Sequence, residues 1–197
     1  MKRLRFLLFL LAPTFAWACG GAPKTTDLSP APSAGVVRDM PRWYSNPPED
    51  RDYLLGPATA TSRDMQVAVN KAQTEGRNQI AQQLDVRFSG LAARFQEEVG
   101  IGDDSELLDQ FTQVYKAVTS EVVTGTRARE QEIIPEGGIY RVYVLMEMPI
   151  GAANAALVSR IRASEHLYTR LRASEAFREL EAEIAKYEQL KKEQGGH

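Results

Sequence analysis

A proline-free stretch from Met65 to Val99 constrains the fold more than any other part of the chain. Met65, Ala68, Ala72, Gly76, Ile80, Leu84, Phe88, Leu91, Phe95 and Val99 recur every three or four residues, the spacing that gathers apolar side chains on one face of a helix. Thr61 stands three residues before Asp64 in a capping-box arrangement, which sets the expected start. The stripe changes character along its length. Ala68, Ala72 and Gly76 let the first half approach a sheet closely, whereas the large residues of the second half call for a different partner. Gly100 to Ser105 (GIGDDS) is expected to end this helix and cap a second one, on which Leu107 or Leu108, Phe111, Val114 or Tyr115, and Val118 share a face.

Beyond Val122 the period changes from helical to alternating. In Ile139 to Met148 (IYRVYVLMEM), Tyr140, Val142, Val144, Met146 and Met148 point one way, and Ile139, Arg141, Tyr143, Leu145 and Glu147 the other. Thr124 to Ile134 is its expected hairpin partner through a turn at Pro135 to Gly138. Tyr53 to Thr61 is a third strand, which Pro57 confines to an edge or a bulge. After Pro149, Leu157, Ile161, Leu167, Leu171, Phe177, Leu180, Ile184, Tyr187 and Leu190 form the seam of a charged C-terminal helix, with Glu175 and Arg178, and Glu188 and Lys192, at pairing distance along it. The expected fold is therefore α+β, in the order β-α-α-β-β-α: a small antiparallel sheet packed on a long helix, with a long C-terminal helix.

The N-terminal residues add no element to that core. Lys2, Arg3 and Arg5 precede a short apolar run from Phe6 to Ala12, and Pro13 and the small Ala16 and Ala18 follow, so residues 1–18 read as a signal peptide. Cleavage there would make Cys19, the only cysteine of the chain, the first residue. The sequence AWAC resembles a bacterial lipobox, which implies acylation of Cys19. Ala16 and Trp17 depart from the Leu and the small residue usual before such a Cys, and the same residues fit ordinary cleavage that leaves a free thiol. Residues 19–40, rich in Gly, Ala, Pro, Ser and Thr, read as the acylated Cys and a flexible tether. Gly20 in place of Asp implies, by resemblance to enterobacterial lipoproteins, the outer membrane. Residues 41–149 are then the α+β body and 150–197 the C-terminal helix.

Several function classes lose their footing on composition. With 24 Lys and Arg against 26 Asp and Glu there is no basic excess to attract nucleic acid. One Cys forms no intrachain disulfide, and one Cys with two His is too few for a four-ligand metal site made of His and Cys alone. His166 reads as an exposed helix residue, and His197 ends the chain after two glycines. Asp103, Asp104, Ser105 and Glu106 read as a helix cap, because Leu107 takes the next ligand place that a calcium loop would need. Gly100-x-Gly102 lacks the third glycine and the preceding strand of a dinucleotide loop, and no nucleophile elbow or phosphate loop occurs. No catalytic residue, cofactor or metal is expected. Trp43 and Tyr44 are the candidate binding aromatics, with closure of the core as their plainer use.

The lipobox-like Cys19, the P-x-W-Y entrance at Pro41, the T-S-R-D helix cap, the run VAVNKAQTEGRNQIAQQL and the late Y-R-V-Y-V-L strand together resemble the bacterial Lpp-twenty lipoprotein family, over about Pro41 to Met148. The chain departs from it at Gly56-Pro57-Ala58, where such sequences show Gly-x-Gly. The resemblance implies a small sheet on a long helix, held in the outer membrane and facing the periplasm, sometimes associated with the flagellum and sometimes assembling into oligomers. The expected function is thus that of a non-enzymatic envelope lipoprotein with a structural or adaptor role, which meets the membrane through acyl chains on Cys19 and binds copies of itself or other envelope proteins. The alternative is a periplasmic module that binds an apolar ligand, a peptide or cell-wall polysaccharide, through the face of Tyr140, Val142, Val144 and Met146 beside Gly76, or through Trp43 and Tyr44.

Overall fold

The computed structural model describes residues 38–100 and 105–195. In chain order these form a one-turn helix α1 (Arg42–Ser45), strand β1 (Tyr53–Ser62), helix α2 (Met65–Val99), helix α3 (Ser105–Val123), strands β2 (Arg127–Glu136) and β3 (Ile139–Pro149), and helices α4 (Ile150–Ala163), α5 (Glu165–Leu171) and α6 (Glu175–Gln194). The chain is α+β, with three antiparallel strands in the order β1-β3-β2. Placing β1 at an edge suits Pro57, which has no N–H to give a second neighbour.

α2 forms as the apolar period requires. Every stripe residue from Ala68 to Phe95 is buried, while Met65 at the first turn is half exposed. The cap is Asp64, whose carboxylate accepts a hydrogen bond from the N–H of Val67 at 2.9 Å. Thr61, expected in that role, lies within β1. At the other end Gly100 takes a left-handed conformation, φ 68°, that ends the helix. The Asp103 and Asp104 positions lie outside the described residues.

The small-residue half of α2 lies on the sheet at glycine-to-glycine distance. A methyl group on Gly56 of β1 would stand 2.3 Å from the carbonyl oxygen of Gly76, and one on Gly76 would stand 2.5 Å from Met146 Cγ. The large half packs on α3, where Phe95 meets Phe111 edge-on at 5.4 Å and Phe88 lies 6.2 Å from Tyr115. Of the paired options on α3, Leu107 and Tyr115 are the buried ones, with Phe111 and Val118.

The hairpin turn is tighter than the sequence implied. Pro135 and Glu136 extend β2 opposite Tyr140 and Ile139, leaving Gly137 and Gly138 as the turn, with φ of 54° and 91°. A register shift between Ala128 and Glu130 bends β2.

The C-terminal seam residues are buried or half-buried, but on three helices rather than one. Ser164 and Ser174 divide the segment, because each caps the helix that follows: the Ser164 hydroxyl accepts from the N–H of Leu167 and the Ser174 hydroxyl from that of Phe177. The chain can thus fold back, and α6 lies along α4, with Gly151 directly beneath the Tyr187 ring. The ion pairs recorded for α6 run to other elements instead of along itself: Glu179 to Arg94 and Glu183 to Arg87 of α2, Glu181 to Arg162 of α4, and Lys186 to Asp52.

Candidate functional site

Residues 1–18, read as a signal peptide, Cys19 and residues 20–37 of the expected tether lie outside the described residues, as does His197. Trp43 and Tyr44 are described, and the structure gives them different neighbours. α1 is a single turn after Pro41, and it packs against β3 on the face of the sheet opposite α2. Tyr44 meets Tyr143 at 4.8 Å between ring centroids, and Trp43 meets Tyr44 edge-on at 6.4 Å. Tyr44 is therefore spent largely on closing the protein, while the recorded ring contact of Trp43 is with Tyr44 and not with the sheet; both residues are half-buried.

Below this aromatic group lies a chain of charges. The Glu147 carboxylate, 6% exposed, pairs with Arg127 at 2.6 Å and Arg129 at 3.7 Å. Arg129 in turn donates to Asp50 at 2.9 Å. Burial alone would raise the Asp50 carboxyl, but the Arg129 guanidinium and the N–H groups of Asp52 and Tyr53 hold it below its usual range. Burial pushes the Tyr143 hydroxyl up, so it stays protonated at neutral pH. These groups fasten residues 41–52 across the outer face of the sheet. They do not present a nucleophile beside a base, the arrangement that covalent or acid–base chemistry needs.

The face proposed for an apolar ligand is filled. Val142, Val144 and Met146 are at most 1% exposed beneath α2, and the small-residue groove at Gly76 is occupied by Gly56 and Met146. Tyr140 alone of that face reaches solvent, at 37% exposure. Several openings lie elsewhere among the described residues, two of them along α2. One, of about 330 Å³, separates α2 from α6 over Phe88, Leu91 and Leu180, and is crossed by the Arg87–Glu183 and Arg94–Glu179 pairs. Beneath it Asn154 is fully buried, donating to Glu183 at 2.5 Å. The other, about 590 Å³, is an open groove between the free edge of β1 and the first turns of α2.

His166 is exposed on α5. Among the described residues no group of three or more His, Cys, Asp and Glu is placed to hold a metal ion, and no helix is long and apolar enough to cross a membrane. Sequence reasoning missed Asp50, Arg129 and Glu147 as a unit. Their one signal was a carboxylate, Glu147, alternating with Tyr143 and Leu145 on a strand face that has to be covered. No family model matches the chain, and no curated protein is significantly similar to it.

Proposed function

We propose that this protein is a lipid-anchored component of the bacterial cell envelope whose folded body serves as a structural or adaptor part. The observation that carries the reading is the place of Cys19: the only thiol in the chain stands where a basic and apolar leader ends and a Gly- and Pro-rich tether begins. Each methylene of an acyl chain buried in a bilayer contributes about 0.8 kcal/mol, so two or three chains on one residue hold a protein there stably. A body whose inner sheet face is closed by packing, and whose outer face is closed by Tyr44 and ion pairs, suits a part that bears on other proteins better than one that encloses a small molecule. The resemblance to Lpp-twenty lipoproteins extends the proposal to the outer membrane, to the periplasmic side, and to assemblies such as that of the flagellum.

The test is fractionation of a bacterial host that expresses the full chain. The native sequence is expected in the membrane fraction, and Cys19→Ala in the soluble envelope fraction with its fold intact. Retention of Cys19→Ala in the membrane would contradict the anchor.

A further inference from the structure

The two edges of the sheet differ in a way that points to a partner. Among the described residues β2 and β1 are the two edges and each carries one proline, but Arg127, Arg129, Glu130, Glu132 and Glu136 lie along β2, with a bulge, devices by which edge strands avoid pairing with other chains. β1 is as long, ten residues each, and carries no charge at all. Two bonds fix which of its backbone groups face outward. Asp52 accepts from the N–H of Ile150, on the β3 side, while the Leu55 carbonyl accepts from Gln83 Nε2 at 2.8 Å, on the free side. Alternation then sets Leu55, Pro57, Thr59 and Thr61 outward. Pro57, the one residue without an N–H, occupies one of these outward places.

We propose that the free edge of β1 pairs with the β1 of a second copy, antiparallel, about a two-fold axis through Ala58. In that register the Thr59 N–H of each copy reaches the Pro57 carbonyl of the other, and Leu55 and Thr61 exchange bonds across the axis, so the N–H that Pro57 lacks is needed only once per strand. The Leu55 carbonyl keeps a second lone pair beside Gln83. Flanking charge supports the same occupant. Gly56 lies against Gly76, and two strand residues rise about 6.6 Å, which is about four residues of α2. The axis therefore passes level with Ala72, between Lys71 and Glu75, both of which line the groove beside Thr59 and Ala60. Reversing α2 about it brings Lys71 of each copy within reach of Glu75 of the other, with Val67, 42% exposed, covered at the rim. The inference deepens the assembly side of the function proposed above and is independent of the anchor, so it can fail while Cys19 still partitions the chain to the membrane.

Light scattering on the full chain in mild detergent tests it, with circular dichroism as the check on folding. The native chain is expected to show the protein mass of a dimer at tens of micromolar. Lys71→Glu should weaken the dimer about tenfold or more, through like charges facing across the axis, and Lys71→Glu combined with Glu75→Lys should restore it. Thr59→Pro, which removes an outward N–H and no hydrogen bond to β3, should give monomers with an unchanged spectrum; should it unfold, the charge exchange remains decisive. A native chain that stays monomeric at about 100 μM, as it would if its own N-terminal residues or another protein covered this edge, overturns the proposal. So does a dimer that ignores both the charge reversal and its rescue.

Discussion

The two faces of β3 are both buried, yet different physics closes them. On the inner face Val142, Val144, Met146 and Met148 meet α2 through Ala68, Ala72 and Gly76, with backbone against backbone at Gly56 and Gly76. On the outer face, where Tyr143, Leu145 and Glu147 are buried, the contacts among the described residues come from residues 41–52, held by one aromatic contact with β3 and the line of charges from Asp50 to Glu147. Close-packed backbone tolerates no added volume, whereas a short segment held by a few side chains can loosen alone. The inner face is thus the determinant of the fold, and the outer face is a clasp lying directly after the residues proposed as a tether.

That contrast is broken most severely at the glycine contact. Gly56→Ala sets its new methyl against a backbone carbonyl that cannot turn away, and is expected to cost about 3 kcal/mol, seen as a fall of about 10 °C in the melting temperature of the whole body. Tyr44→Ala removes two aromatic pairs, with Tyr143 and with Trp43, and should cost about 1 to 2 kcal/mol. Its effect should be local, with limited proteolysis cutting near residues 41–52 while the global melt moves little. Equal melting shifts for the two variants would erase the distinction between faces.

A third glycine sharpens the point. Nothing lies within 4 Å of a methyl group built on Gly90, an interior position of α2, so Gly90→Ala should stabilise the protein by about 0.5 to 1 kcal/mol in a denaturant titration. The smallest expected effect is on pH. Because its partners hold the Asp50 carboxyl below the usual range, Asp50 contributes stability above that range and loses it as pH falls through the lowered value. Trp43 fluorescence, read in the chain beginning at Cys19, which lacks Trp17, should therefore report loosening of the clasp on acidification. Asp50→Asn should remove that acid-dependent component.

The legibility of these regions in the sequence follows the same division. The inner face could be read because period and residue size both report it: the stripe of α2 and the alternation of Val142, Val144 and Met146 place the core, and Ala72 and Gly76 announce close approach. The outer clasp could not, since residues 41–52 have no period, and the partners of Glu147 come from another strand and a distant loop. Helix boundaries failed where two good caps competed. Thr61 and Asp64 are both cap types three residues apart, and the β-branched Thr61 went to the strand. The doubled Arg-Ala-Ser-Glu at 162–165 and 172–175, too short for a repeat, marks two helix starts through Ser164 and Ser174. Of the candidate site, Cys19 rests on sequence order alone, while the roles of Trp43 and Tyr44 became distinct only with Tyr143 in place, which Tyr44 meets directly.

Under the function proposed above, acyl chains on Cys19 are the chemistry that places this molecule. Intact-mass spectrometry of the mature protein from its native host tests that claim most directly. The expected species begins at Cys19 and carries the added mass of a diacylglycerol group, with or without a further acyl chain on its amino terminus. A mature chain beginning at Cys19 with an unmodified thiol would contradict the account.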